Sequence, residues 1–214
     1  MNPKSPSGSP GQPRHRAASK RSLATSLSIL DAAERLFAER GYDGASVRDI
    51  AGAAGAQIAS ISFHHGGKEA LFERVVERRA AELSQLRLDA LAAAKAHNDT
   101  LTLKTVLSDP QWLAYARLVA MVSADIRWHE ISERCFDPTA GIFIAEIAQL
   151  FPDTDKTTIA VAFVFSVSAM LSLSTSRWRI EALAAASDKQ ASMQQLSDEL
   201  VRFCEAGMRA AING

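Results

Sequence analysis

The sequence predicts an all-α protein made of a small three-helix head and a larger helical body. Alanine and leucine are abundant, and glycine and proline are sparse after the N-terminus, a composition that favours helix. Apolar residues recur at three- and four-residue spacing along most of the chain, as on the buried face of a helix. With 214 residues, the chain is long enough for a head and one larger core.

Residues 23–40 predict the first helix of the head. Leu23, Leu27, Leu30, Ala33 and Phe37 form its apolar stripe. Gly41 follows at the position where a helix commonly ends.

Ser46 to Lys68, SVRDIAGAAGAQIASISFHHGGK, predicts two short helices joined by a tight turn. Ser46 is a good N-cap for the first helix, and Gly55 ends it. The second runs from about Gln57 to Phe63, with Ile58 and Ile61 facing the first helix. Its other face carries Gln57, Ser60, Ser62 and His64. This is the plan of a helix-turn-helix, whose second helix enters the DNA major groove. A plain αα-hairpin has the same spacing.

The flanking sequence distinguishes these interpretations. Ile29 to Asp49 reads ILDAAERLFAERGYDGASVRD, and Lys68 to Phe72 reads KEALF. With the segment between them, these motifs resemble the DNA-binding domain of the TetR (tetracycline-repressor-like) family over residues 22–75. Phe63 and His65 stand where the family usually has a tyrosine and an apolar residue. The resemblance implies a helix-turn-helix DNA-binding head and a ligand-binding, dimerising body.

Candidate DNA contacts lie on and beside the second short helix. Gln57 has the amide that pairs with adenine N6 and N7. Ser60 and Ser62 are short donors that allow close approach. Lys68, Ser46 and Arg48 stand at helix starts, where backbone N–H groups and a positive charge hold phosphate. The aromatic and histidine that close the family's second helix add Phe63 and His64.

Charge is unevenly distributed along the chain. The first 68 residues carry a net charge of +4 and the remainder −4, although the whole chain is neutral. Residues 1–21 are rich in proline and hold five basic residues and no acid, which predicts a disordered basic tail. That tail is either an arm on DNA or a solvated leader. We expect the head at 22–68 and the body at 69–214.

The body is predicted to contain a ligand pocket and a dimer interface. The pocket is implied by the resemblance, and its candidate lining residues are aromatic or methionine: Trp112, Tyr115, Met121, Trp128, Phe143, Phe163, Met170 and Trp178. Thr157 to Ser176 is uncharged and as long as a membrane span, but eight of its residues are serine or threonine. Such a helix is otherwise buried in a core or between subunits. With the helix from about Gln190 to Ile212, it is expected to form a homodimer interface.

Little in the sequence suggests catalysis. There is no HExxH, nucleophile elbow or phosphate-binding glycine loop, and no catalytic residue, metal or cofactor is expected. Cys135 and Cys204 lie far apart, no apolar run opens the chain, and a cytoplasmic location is expected.

The sequence therefore predicts a DNA-binding transcriptional regulator, a repressor that a small-molecule effector releases from its double-stranded operator DNA. Two alternatives stay open. One is a DNA binder of architectural type without a ligand. The other is a helical cytoplasmic ligand carrier or enzyme whose head no longer binds DNA.

Overall fold

The computed structural model describes residues 13–97, 110–184 and 192–213, and within these ranges it contains helices and no strands. The α-helices, in chain order, are α1 Pro13–Gly44, α2 Val47–Ala54, α3 Ile58–His65, α4 Lys68–His97, α5 Pro110–Ala124, α6 His129–Cys135, α7 Asp137–Leu150, α8 Lys156–Leu183 and α9 Met193–Asn213. A short 3-10 helix, Ile126–Trp128, links α5 to α6. The predicted all-α class is confirmed.

The head is built from α1, α2 and α3, with the first turns of α4 closing its core. Fully buried apolar side chains from each helix meet there: Ile29, Phe37, Ile50, Ile61, Leu71 and Phe72. Both predicted caps of α2 are present. The Ser46 hydroxyl accepts from the Asp49 N–H at 3.0 Å, and Gly55 takes the left-handed conformation (φ 62°) that suits glycine. These caps set the tight turn that leads into α3.

Helix α1 differs from prediction at its start and along its apolar stripe. Helix α1 begins at Pro13, inside the stretch expected to be disordered, because proline is tolerated in a first helical turn and alanine, lysine and arginine follow it. Leu23 and Leu27 are exposed rather than part of the core stripe. Serines on the adjacent side of α1 face the head instead, and Ser28 donates to the Ala54 carbonyl oxygen at 2.9 Å.

The body consists of α5 to α9 and the distal part of α4. Helix α5 packs against α1, α4 and α8, and α8 packs against α9. The sequence predicts helix starts at Asp109-Pro110 and Asp137-Pro138 and a helix end at Phe151-Pro152. Helix α5 begins at Pro110, and α7 runs from Asp137 to Leu150. The sequence also predicts a short helix over Thr100 to Leu107, which lies outside the described residues, as does Asp109.

Helix α8 is the apolar stretch anticipated between Thr157 and Ser176. Among the described helices it alone has the length and hydropathy to cross a membrane, and 22% of its most apolar window is buried within the protomer. Ile159, Ala162, Leu171 and Leu173 face the core. Val164 and Phe165 remain 55% and 69% exposed. One protomer therefore covers only one side of this helix.

Candidate nucleic-acid interface

Helix α3 presents a polar and partly apolar face to solvent. Ile61 on its inner face is fully buried against the head core. Ile58, which the spacing placed on the same inner face, is 48% exposed. It begins the helix, where the turn from Gly55 directs it away from the core. An exposed apolar side chain here is suited to contact a thymine methyl group, a role that the sequence had not indicated.

Gln57, Ser60 and Ser62, the polar residues predicted to contact DNA, differ in accessibility. Gln57 is exposed at the N-cap position, and its side chain makes no capping hydrogen bond. Its amide is therefore free for a base edge. Ser62 is exposed as well. Ser60 is half-buried rather than exposed, so it allows close approach better than it donates.

Phe63, in the last turn of α3, points into solvent. Phe63 is 82% exposed and stacks edge-on against the His64 ring, with ring centroids 5.0 Å apart. Arg74 of α4 donates to the His64 carbonyl oxygen at 3.1 Å, which satisfies one of the open carbonyls at the end of α3. Phe63 therefore stays accessible on the surface of the head.

His65 fills the apolar anchor position from inside the head. It is 2% exposed, its Nε2 lies 3.4 Å from the Ser26 hydroxyl, and its Nδ1 has no hydrogen-bond partner. Burial, with a smaller effect of the Arg74 charge, holds the pKa of His65 below its usual value. The ring is therefore favoured in its neutral form, as the anchoring position requires.

Candidate phosphate contacts at the helix starts are also distinguished. Arg48 is exposed on α2 and forms no ion pair within the described parts of the chain. Lys68, in contrast, is half-buried, and its ammonium lies 4.5 Å from the centroid of the Tyr42 ring. That cation–π contact directs the Lys68 side chain toward the head itself. Ser46 is exposed but already accepts from Asp49.

Arg127, in the 3-10 helix, forms ion pairs that connect the head to the body. Arg127 donates to both carboxylate oxygens of Asp43, at 3.3 and 3.0 Å, and to Asp125 at 2.9 Å. Hydrogen bonds from Arg127 lower the pKa of both aspartates, and those aspartates raise the pKa of Arg127. Asp43 lies at the end of α1, so the pairing joins the two domains directly.

Aromatic packing reinforces this junction. Trp128 is 6% exposed, with its ring centroid 4.4 Å from Phe72 and 4.9 Å from Tyr42. Phe72 in turn packs edge-on against Phe37 at 5.1 Å. Trp128 is therefore a core residue of the junction, and its role in a ligand pocket stays a prediction.

The structure also separates the other predicted pocket residues. Tyr115 is fully buried, and its hydroxyl donates to the Val76 carbonyl oxygen at 2.8 Å. Phe143 and Phe163 meet between α7 and α8, with centroids 6.1 Å apart. Met121 and Met170 are half-buried, whereas Trp178 is 65% exposed. The Trp112 side chain lies outside the described part. An open depression of about 490 Å³ lies between the α7–α8 loop and the end of α9, and none of these eight residues lines it.

Within the described residues, no cluster of three or more histidine, cysteine, aspartate or glutamate side chains is arranged to hold a metal ion.

Comparison with known proteins covers both domains. Residues 29–75 match the family described as "Bacterial regulatory proteins, tetR family", and residues 101–207 match "Tetracyclin repressor-like, C-terminal domain". The HTH-type transcriptional repressor AcnR of Corynebacterium efficiens is 42% identical over 57 residues, which is 27% of this chain and 30% of AcnR. The chain thus aligns with less than a third of that relative's length.

Two solved structures share the fold at low sequence identity. A putative tetR family transcription regulator from Shewanella sp. PV-4 has a TM-score of 0.53 at 17% identity, covering 88% of this chain and 96% of that one. The transcriptional regulator FadR from Bacillus subtilis, in complex with stearoyl-CoA, has a TM-score of 0.52 at 15% identity, covering 88% and 98%. The matches of residues 29–75 and 101–207 to the two family models show that the chain belongs to the tetR family of bacterial transcriptional regulators rather than to an enzyme family.

Proposed function

We propose that this protein is a cytoplasmic transcriptional repressor that binds operator DNA through α3 and leaves it when a small molecule binds the body. The observation that carries the proposal is that α3 buries one face in the head and exposes the other. Its inner residues Ile61 and His65 are buried in the head, whereas Gln57, Ser62 and Phe63 stay free on the outer face. A rigid helix with an uncommitted amide at its start fits the major groove.

The side chains divide into base and phosphate contacts. Gln57 is the candidate for bidentate contact with adenine, and Ile58 for a thymine methyl. Of Arg48 and Lys68, Arg48 is the better candidate for a phosphate contact, because the Lys68 ammonium lies over the Tyr42 ring. Backbone N–H groups at the start of α4 remain suited to phosphate whatever the Lys68 side chain does.

A homodimer is supported by the apolar side chains that α8 and α9 leave uncovered. Val161, Val164 and Phe165 on α8 are 44%, 55% and 69% exposed, and Phe203 on α9 is 71% exposed. The two helices pack against each other, so these side chains belong to one surface. A second copy related by a twofold axis covers such a surface with itself and presents two heads to two half-sites.

Coupling between effector and DNA is proposed to pass through α4 and the junction. Helix α4 carries Phe72 in the head core and continues into the body as far as His97. The Asp43–Arg127 pair and Trp128 connect the same head to the start of α6. A ligand that favours one tilt of α4 thereby favours one spacing of the two heads, which is a coupling between two sites through a two-state element.

Fluorescence anisotropy on the chain's own upstream DNA, with a scrambled duplex of equal length, tests the DNA-binding part. Gln57→Ala is expected to lose roughly 1–3 kcal/mol on the specific duplex and little on the scrambled one, because a base contact carries sequence information. Arg48→Ala should weaken both alike and reduce the salt slope by about one per subunit.

Gln149→Ala is the matched control, since Gln149 is an exposed glutamine in the body. It should bind both duplexes as the wild type does. Equal affinity of the wild type for both duplexes, with no effect of Gln57→Ala, would contradict operator recognition and favour a ligand carrier. Sequence-specific binding that no cell extract fraction releases would favour an architectural binder.

A further inference from the structure

Arg87 interrupts the buried face of α4. Val76, Ala80 and Leu83 are 0%, 5% and 8% exposed and recur at four- and three-residue spacing. Arg87 follows Leu83 by one further helical turn, so it continues the same stripe. An apolar side chain is expected at this position, yet the chain places a half-buried guanidinium there.

Helix α5 packs on this side of α4, with Tyr115 near Arg87. Tyr115 of α5 lies opposite this face, and its hydroxyl donates to the carbonyl oxygen of Val76. Leu118, one turn along α5, is fully buried. Burial lowers the pKa of Arg87, and the nearby Tyr115 has a smaller, opposite effect. The guanidinium thus lies at the contact between α4 and α5 in a poorly solvated setting.

Among the described residues, Arg87 also differs from Arg74, Arg78 and Arg79 of the same helix, each of which has a hydrogen-bonding or ion-pair partner. Arg78 pairs with Asp31 at 2.5 Å and Arg79 with the buried Glu34 at 3.1 Å. Arg74 donates to the His64 carbonyl oxygen. In the described ranges 13–97, 110–184 and 192–213, Arg87 forms no ion pair or side-chain hydrogen bond. A poorly solvated charge without a partner is costly, and an anion beside it removes that cost.

We propose that Arg87 anchors the acidic head group, a carboxylate or a phosphate, of an amphipathic effector that binds at the contact between α4 and α5. A guanidinium presents a planar fork that holds either anion through two parallel hydrogen bonds. The buried Leu83 and Leu118 of these two helices favour an effector with a hydrocarbon tail over a fully polar ligand. The inference rests on the proposed function, because it takes the body to be an effector site.

Isothermal titration of the full-length protein with three probes of equal chain length tests this proposal. Decanoate and decyl phosphate carry the two candidate head groups, and decanol carries none. The wild type should bind at least one anion roughly 10–100-fold tighter than decanol, as expected for charge-assisted hydrogen bonds. The better of the two anions identifies the head group.

Two variants separate the anchor from a general charge effect. Arg87→Met keeps the length of the side chain and removes its charge, so it should abolish the preference for the anion and leave decanol binding unchanged. Arg117→Met removes an exposed arginine of α5 and should preserve the preference. Ligand-free Arg87→Met should melt no lower than the wild type, because it removes an unpaired charge from an apolar setting.

Three results would overturn the proposal. The first is equal binding of the anions and the alcohol by the wild type, and the second is an unchanged preference for the anion in Arg87→Met. The third is a markedly lower melting temperature of ligand-free Arg87→Met, because it would mean that Arg87 stabilises the fold through a partner in the chain. Operator binding without ligand is measured separately by anisotropy. If the protein binds DNA but does not prefer anions, only the proposed role of Arg87 is refuted. If it prefers anions but binds no DNA, only the proposed repressor function is refuted.

Discussion

Truncating Phe165 to alanine is expected to dissociate the proposed dimer. Phe165 projects from α8, and 69% of it is exposed in the protomer. A phenylalanine side chain has on the order of 200 Å² of surface, so roughly 140 Å² of it is open. Burial of that area in a partner contributes about 3.5 kcal/mol at ~25 cal/mol per Å². Alanine retains part of this contribution, which leaves a loss of roughly 2.5 kcal/mol per protomer.

The loss is counted twice in a twofold dimer, since each protomer contributes its own Phe165. The dimer should therefore weaken by about 5 kcal/mol, and the dissociation constant should rise by about 10³–10⁴-fold. Sedimentation equilibrium over a range of concentrations measures that change directly. The thermal melt of the dissociated protomer should stay cooperative, because Phe165 does not pack in the protomer core.

Ile126→Ala is the control, because Ile126 is 82% exposed but lies in the 3-10 helix that packs against α5 and α6. It should leave the dissociation constant unchanged. A charged side chain at the exposed Val164 should also dissociate the dimer. Val167 is a poorer position for this test, because Val167 packs against the protomer core and a charge there would also destabilise the fold. A wild-type mass near 23.1 kDa at micromolar concentration would refute the dimer, and an unchanged dissociation constant in Phe165→Ala would exclude this face.

Two further predictions concern the head. Burial and the Arg74 charge lower the pKa of His65, so the unfolded chain binds more protons between that pKa and the unfolded value of about 6.5. The melting temperature should accordingly fall as the pH drops below about 6.5, and His65→Phe should remove this part of the dependence; an identical pH profile in both proteins would contradict it. Glu34→Ala should lower the free energy of unfolding by about 3 kcal/mol in urea titrations, because it leaves the poorly exposed Arg79 without its buried partner. A loss below about 1 kcal/mol would mean that the pair behaves as a surface ion pair.

Local signals in the sequence determined much of the head. Ser46 and Gly55 act on backbone groups within a few residues of themselves, so the caps of α2 follow from residue type alone. The starts of α5 and α7 at proline-containing turns are local in the same sense. The family also followed from the sequence, because the motifs in residues 29–75 are short-range patterns of residue types.

Tertiary structure decided what each face of a helix contacts. Helix α8 is apolar on all sides, so its periodicity could not distinguish the exposed Val164 from the packed Val167. The spacing of Ile58 and Ile61 suggested one shared face, but the turn before α3 exposes the first of them. Trp128 has the composition of a pocket residue, and only its neighbours Tyr42 and Phe72 identify it as part of the junction.

The charged contacts depended on tertiary structure most strongly. Asp43 and Arg127 are separated by 84 positions in the chain, and no local pattern marks them as partners. Lys68 looked like a phosphate contact until the fold placed Tyr42 beneath its ammonium. Arg87 continues a stripe that is visible in the sequence, but only the packing of α5 on that stripe shows that Arg87 has no ion-pair partner among the described residues. Backbone capping is set by adjacent residues, whereas the solvation and pairing of a charge are set by whatever distant helix packs against it.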